Sequence, residues 1–137
     1  MAEGLLLDTC ACLWLTHDDP LSPESMEAIE AATQDLAIFI SAITAWEVAI
    51  LVRKERYRLR PTPAAWFASL LERPGVNLVD LSPDILIESV FLPGEPPNDP
   101  ADRMIAATAR IHGLTVVTRD KPLRAYSTAG WVGLIVC

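Results

Sequence analysis

Four times along this chain a small polar residue stands directly before a proline: Ser22-Pro23, Thr62-Pro63, Ser82-Pro83 and Asp99-Pro100. That order marks a helix start. The polar side chain caps free backbone N–H groups, and proline at the first helical position gives up only an N–H that has no partner there anyway. The residues that follow each pair suit a helix, which predicts helices over Pro23 to Ala32, Pro63 to Leu71, Pro83 to Val90 and Pro100 to His112. Another is expected from about Thr44 to Glu55, and a short one over Thr9 to Leu15. Between them lie short apolar runs that read as strands: Gly4 to Leu7, Leu36 to Ile40, Val76 to Leu81, Thr115 to Thr118 and Val132 to Val136. Asp18-Asp19-Pro20 breaks the pattern, and Phe91 to Asn98 is too proline-rich to be regular and is expected to border a site. Strands alternating with helices imply right-handed crossovers and a central, mostly parallel sheet covered on both faces, a three-layer α/β/α sandwich. Ligands bind such sheets outside the carboxyl ends of the strands.

The length, 137 residues, fits a single domain spanning 1–137 around one core. A hydrophobic content of 51% suits a sheet buried on both faces. No apolar run approaches the roughly 20 residues that span a bilayer. No basic segment precedes a hydrophobic one at the N-terminus, so a cytoplasmic location is expected. Cys10, Cys12 and Cys137 are too few for a metal cluster and read as buried free thiols. His17 and His112 have no partner at useful spacing and read as surface or helix-end residues. The net charge of −7 does not by itself favour a polyanionic partner. Its distribution is uneven: Arg53, Lys54, Arg56, Arg58 and Arg60 form one basic run, and Arg119, Lys121 and Arg124 flank Asp120. The run reads either as the solvated end of a helix or as a partner surface.

The acids carry most of the chemical information. Asp8 closes the first strand and Asp120 follows the Thr115 to Thr118 strand, so both fall at the sheet edge where ligands bind. The helix opened by Asp99-Pro100 runs to a glycine stop at Gly113, antiparallel to the strand after it, which puts Asp102 at the same edge as Asp120. Asp99 reads as a cap, while Asp102, at the third helical position, is either a capping carboxylate or part of a site. Glu47 shares a helical stripe with Ile43, Thr44, Ile50 and Leu51, and a carboxylate facing a core is costly unless it is paired or metal-bound. Two carboxylates about 5 Å apart repel by roughly 3 kcal/mol at an effective dielectric near 20. Asp8, Glu47, Asp102 and Asp120 together therefore demand protons or a cation, and hard oxygen donors suit Mg2+ or Mn2+.

Asp8 after a first strand, Glu47 within Ser41-Ala42-Ile43-Thr44-Ala45-Trp46-Glu47, Asp99-Pro100-Ala101-Asp102-Arg103 opening a helix, and Thr118-Arg119-Asp120 after a strand resemble the PIN-domain nucleases. More narrowly, the chain resembles the VapC-type toxins of bacterial toxin–antitoxin pairs. The resemblance implies an endoribonuclease dependent on Mg2+ or Mn2+, working as a homodimer and held inactive by a cognate antitoxin. It assigns Asp8, Glu47, Asp102 and Asp120 to the catalytic and metal site, with Asp99 as a nearby acid that is a ligand or only a cap. Thr9 and Thr118 match positions where a hydroxyl orients a carboxylate or water, and Arg103 is structural or phosphate-facing. The histidine often placed before the family's Asp-Pro pair is absent, since Pro97 and Asn98 stand there. Two other classes compete: a phosphoryl-transfer protein with Asp8 as phospho-acceptor, and an inactive partner-binding module. Haloacid-dehalogenase-like phosphatases need a second aspartate two residues on, where Cys10 stands. Response-regulator receivers need adjacent early acids, which are missing. Trp14, Trp46, Trp66 and Trp131 read mainly as core or interface residues rather than base-stacking platforms.

Overall fold

The computed structural model describes residues 4–17 and 20–137. The strands β1 (Leu5–Leu7), β2 (Ile38–Ser41), β3 (Val76–Val79), β4 (Thr115–Thr118) and β5 (Gly133–Val136) form one sheet in the order β3-β2-β1-β4-β5. Every neighbouring pair is parallel. The expected mostly parallel sheet is thus parallel throughout. The helices are α1 (Thr9–Thr16), α2 (Pro23–Gln34), α3 (Ile43–Arg53), α4 (Pro63–Leu71), α5 (Pro83–Val90), α6 (Pro100–His112) and α7 (Lys121–Thr128).

All four polar-proline pairs start helices as the sequence requires. Ser22 accepts from the Ser25 N–H, Thr62 from Ala65, Ser82 from Ile85 and Asp99 from Asp102. Gly113 closes α6 in the left-handed region at φ 65, a conformation that costs glycine little. Several boundaries differ from expectation by one or two residues: α3 spans Ile43–Arg53 rather than Thr44 to Glu55, and β3 ends at Val79 rather than Leu81. α2 runs on to Gln34, and Leu36, at φ 57, turns the chain so that β2 begins only at Ile38. A helix the pattern did not predict, α7, follows β4 directly. Its cap is Asp120 and its proline, Pro122, stands second in the helix rather than first, so the polar-proline adjacency is broken by Lys121. The break expected at Asp18-Asp19 lies outside the described residues.

Side chains alternate across β1 into two cores. Leu5 and Leu7 pack with residues of α1, α2 and α4, together with Ile38, Ile40 and Val117. Leu6 faces the other way with Ile85, with Ala106 and other residues of α6, and with Val116, Leu123 and Tyr126. The sheet is therefore covered on both faces, which is why β1 reads as an unbroken apolar run rather than an alternating one. The chain steps outward from β1 through β2 to β3, then crosses back to lay β4 on the other side of β1. The order reverses between β1 and β4, and a crevice opens outside the carboxyl ends of such a pair.

Candidate active site

Asp8 and Thr118 end the two strands at that reversal. The Asp8 N–H donates to the Val117 carbonyl at 3.1 Å, which extends the β1–β4 ladder by one bond. Its side chain caps α1: one carboxylate oxygen accepts from the Ala11 N–H at 2.8 Å, and the other accepts from the Thr118 hydroxyl. The Thr118 oxygen in turn accepts from the Asp120 N–H at 3.0 Å, and the Asp120 carboxylate caps α7 by accepting from Leu123 at 3.0 Å. One buried hydroxyl thus fixes both acids at the sheet edge. Across the crevice the Thr9 hydroxyl donates to Glu47 Oε1 at 2.6 Å, which ties the start of α1 to α3. Asp99 caps α6 through the Asp102 N–H at 3.0 Å.

These placements bring all five acids to one pocket of about 640 Å³, lined by Asp8, Glu47, Asp99, Asp102 and Asp120 with Thr9, Cys10, Trp14 and Arg119 among its other walls. The acids pay for this company in proton affinity. Burial pushes the Asp8 carboxyl up to about 6, against the pull of the Thr118 and Ala11 hydrogen bonds and with the Asp120 charge adding to the rise. Asp102 is pushed up to about 8, first by burial and then by Asp120, Asp99, Glu47 and Asp8. Glu47 is also raised, by burial foremost and by Asp99, Asp8 and Asp120, while its bond from Thr9 opposes the rise. Asp102 feels every other acid of the pocket, and carboxylates perturbed in this way cluster at functional sites as well as in structural charge networks.

The donor set fits a hard divalent ion. Carboxylates from several elements line the pocket, and among the described residues no histidine does. The one thiol, Cys10, is pushed up to about 11 by burial, Asp8 and Glu47, so it stays protonated and offers no thiolate ligand. Among the described residues no three His, Cys, Asp or Glu side chains already stand at the spacing of one ligand shell. Mg2+ keeps several waters and takes only one or two protein carboxylates directly, so a carboxylate-lined pocket without a ready group of three ligands is compatible with it.

Each residue picked out from the sequence can now be placed. Asp8, Glu47, Asp99, Asp102 and Asp120 meet in the pocket, and Thr9 and Thr118 orient two of them. Asp99 fills its capping role as well. Asp102 does not act as a capping carboxylate, since among the described residues only its backbone N–H takes part in the cap. Glu47 sits at the edge of its stripe: Ile43, Thr44 and Val48 are buried, whereas Ile50 and Leu51 are half-buried. Arg103 is structural. Its guanidinium donates to the carbonyls of Ser89, Pro97 and Val90 at 2.9, 2.8 and 3.3 Å, pinning both ends of the Phe91 to Asn98 loop. That loop does not line the pocket; only Asp99, which follows it, does. The expectation of three buried thiols holds for Cys12 and Cys137 but fails for Cys10, which is exposed on the site-facing side of α1.

Sequence reasoning noted Arg119 only as a flanking charge. Among the described residues it is the one cation lining the pocket. Its guanidinium lies 3.9 Å from the centre of the Trp14 ring, and Nε donates to the Cys137 carbonyl at 2.7 Å. It is fixed by an aromatic face and the chain's C-terminal residue rather than by an acid of the pocket. Its position directly before Asp120 was the only local signal available.

The PIN domain family model matches residues 5–128. The chain is 37% identical over 126 residues to ribonuclease VapC22 of Mycobacterium tuberculosis, covering 92% of this chain and 93% of that relative. Among solved structures it is similar to a toxin–antitoxin complex from Klebsiella pneumoniae, with a TM-score of 0.63 and 27% identity over 96% of both chains. It shares its fold with VapBC2 from Rickettsia felis bound to a promoter DNA fragment, at a TM-score of 0.69 and 18% identity over 96% of this chain and 97% of that one. Five strands, a site at the reversal of strand order and a family model spanning both ends of that site agree: the chain belongs to the PIN domain family.

Proposed function

We propose that the chain is an endoribonuclease dependent on Mg2+ or Mn2+, the toxin of a type II toxin–antitoxin pair, acting in the cytoplasm on RNA phosphodiester bonds. One observation carries this reading: five carboxylates from separate elements line a single pocket, and two of them hold protons well above the usual carboxylate range. Asp8, Glu47, Asp102 and Asp120 would hold the ion, one or two of them directly and the others through its waters, with Asp99 beside them. When bound, the ion supplies water activation and charge neutralisation at the leaving oxygen. The chain supplies orientation. Thr118 and the Ala11 N–H hold both oxygens of Asp8, and Thr9 holds Glu47. Asp102, the most strongly raised of the acids, releases its proton when positive charge enters, so the empty pocket avoids holding its full negative charge. Water oxygen bonds to phosphorus, the bond from phosphorus to O3′ breaks, and a proton ends on that oxygen. The products are a 3′-hydroxyl and a 5′-phosphate.

The antitoxin partner is carried over from a similar protein whose structure is a toxin–antitoxin complex. A homodimer is supported by the outer face of α5 and the residue after it, where Ile87, Val90 and Phe91 are 60%, 65% and 76% exposed, an apolar strip that self-association would cover. A phospho-acceptor role for Asp8 is disfavoured by its burial at 7% exposure with both oxygens already bonded. The test is RNA cleavage with magnesium, with manganese and with chelator, for the parent and for Asp8→Asn. Cleavage that needs the metal and is lost in the variant supports the reading. Equal cleavage by the two proteins removes the role of Asp8, and a parent that cuts no RNA removes the nuclease.

A further inference from the structure

The basic run of the sequence has no part in the acidic pocket. Two of its members, Arg58 and Arg60, line a separate cavity of about 750 Å³ together with Arg73 from the residues after α4, and with Thr16, His17 and Ser69. Among the described residues no Asp or Glu lines this cavity. All three arginines are exposed, and among the described residues none stands in an ion pair. Three guanidiniums on one concave surface, in a chain of net charge −7, form a concentrated positive field where a polyanion gains most.

Its position relative to the acidic pocket gives the field a use. α1 begins with Thr9 in the acidic pocket and ends with Thr16 in the basic cavity. Its eight residues rise about 12 Å. A stacked single strand carries a phosphate about every 3.4 Å, so the cavity lies roughly three to four nucleotides from the acids. The acidic pocket repels a phosphate backbone until a cation enters it, so attraction for the strand must come from elsewhere. An acidic peptide would satisfy the same guanidiniums, but nothing in the geometry would tie it to the far end of α1.

Resting on the nuclease reading, we propose that Arg58, Arg60 and Arg73 form a phosphate-backbone subsite that holds the RNA strand a few nucleotides from the bond that is cut. The subsite reads charge and carries no base selectivity.

The test is binding of a labelled random-sequence RNA of roughly 20 nucleotides to the full chain, with metal chelated, across roughly 50 to 200 mM salt. For the combined Arg58→Gln, Arg60→Gln and Arg73→Gln variant, the slope of log affinity against log salt falls by about 2, at about 0.7 for each lost phosphate contact. Arg53→Gln, Lys54→Gln and Arg56→Gln removes equal charge from exposed residues outside the cavity and changes the slope by less than half as much. The matching triple lysine variant restores it, which separates lost charge from lost folding. An unchanged slope, or equal loss in the two glutamine variants, overturns the subsite. Lost binding of poly-glutamate with RNA binding intact also overturns it and gives the cavity to an acidic peptide. A parent that shows the slope difference yet cuts no RNA with magnesium supports the subsite and refutes the nuclease reading separately.

Discussion

Replacing Asp8 by asparagine should make the metal-free protein more stable at neutral pH, although it removes a residue at the centre of the site. Burial raises the Asp8 carboxyl from 3.8 to about 6. The folded state therefore keeps a proton that the unfolded chain releases, and folding loses free energy as pH rises between those two values. Above about pH 6 the loss is complete. At about 1.4 kcal/mol for each tenfold change in proton affinity, the rise from 3.8 to about 6 costs the folded state about 3 kcal/mol. Asparagine is neutral at every pH and nearly the same shape. Its oxygen can still accept from the Ala11 N–H, so the cap of α1 survives. What it gives up is the bond from the Thr118 hydroxyl, for which its amide must instead donate. Allowing about 1 kcal/mol for that exchange, Asp8→Asn gains about 2 kcal/mol at pH 8 in chelator.

Near pH 4 the gain should have disappeared, because the folded parent is then protonated at this position and the unfolded parent nearly half so, which leaves about 0.5 kcal/mol of the cost, less than the hydrogen bond the variant gives up. Magnesium should reverse the order at pH 8, since it stabilises the parent by mass action and the variant has lost a ligand. Denaturant unfolding at pH 4 and pH 8, with chelator and with magnesium, measures all four corners. A variant less stable than the parent by the same amount at both pH values would refute the argument, because it would mean that the Asp8 anion is held favourably without any cation.

Three further outcomes follow from the same contacts. Because Asp102 titrates near 8 and the ion needs its anion, magnesium affinity should rise about tenfold between pH 6 and 7 and most of that again between 7 and 8, then flatten above about 9. Calorimetry in buffers of different ionisation enthalpy should show close to one proton released per ion at pH 7. Thr9→Val deletes the 2.6 Å bond to Glu47, so Glu47 moves further up in proton affinity, and metal affinity or activity falls about 10- to 100-fold while the fold survives; full activity would show that the bond orients nothing. Arg103→Leu strips three donors from the carbonyls of Ser89, Val90 and Pro97. It should cost about 2–4 kcal/mol and raise amide exchange across residues 91 to 98 before the rest of the chain opens.

What the sequence disclosed here, and what it withheld, divides by distance. A helix start is written in neighbouring residues, so Ser22, Thr62, Ser82 and Asp99 announced theirs, and the starts of α4, α5 and α6 were legible to the residue. The same rule overlooked α7 because Lys121 separates Asp120 from Pro122, although the N–H that proline lacks at the second helical position has no intrahelical partner either. That omission had a consequence for the site, since Asp120 read as the end of a strand when it is also the start of a helix. The dual role recurs: Asp8, Asp99 and Asp120 each cap a helix while lining the pocket. Asp102 and Glu47 cap nothing and are both raised in proton affinity. Capping explains three of the acids as well as catalysis does, so the case for a site rests on the two that local structure does not need. Arg103 reads from the sequence only as structural or phosphate-facing, and the roles of Arg119 and Arg73 are not legible there at all, for the opposite reason. Their partners are backbone carbonyls, a tryptophan ring and two arginines far along the chain, and no local pattern encodes them. The sequence placed positions 8 and 120 together only in so far as both fall at the carboxyl ends of strands; that β1 and β4 are neighbours at a reversal of strand order is a property of the fold that no local pattern encodes.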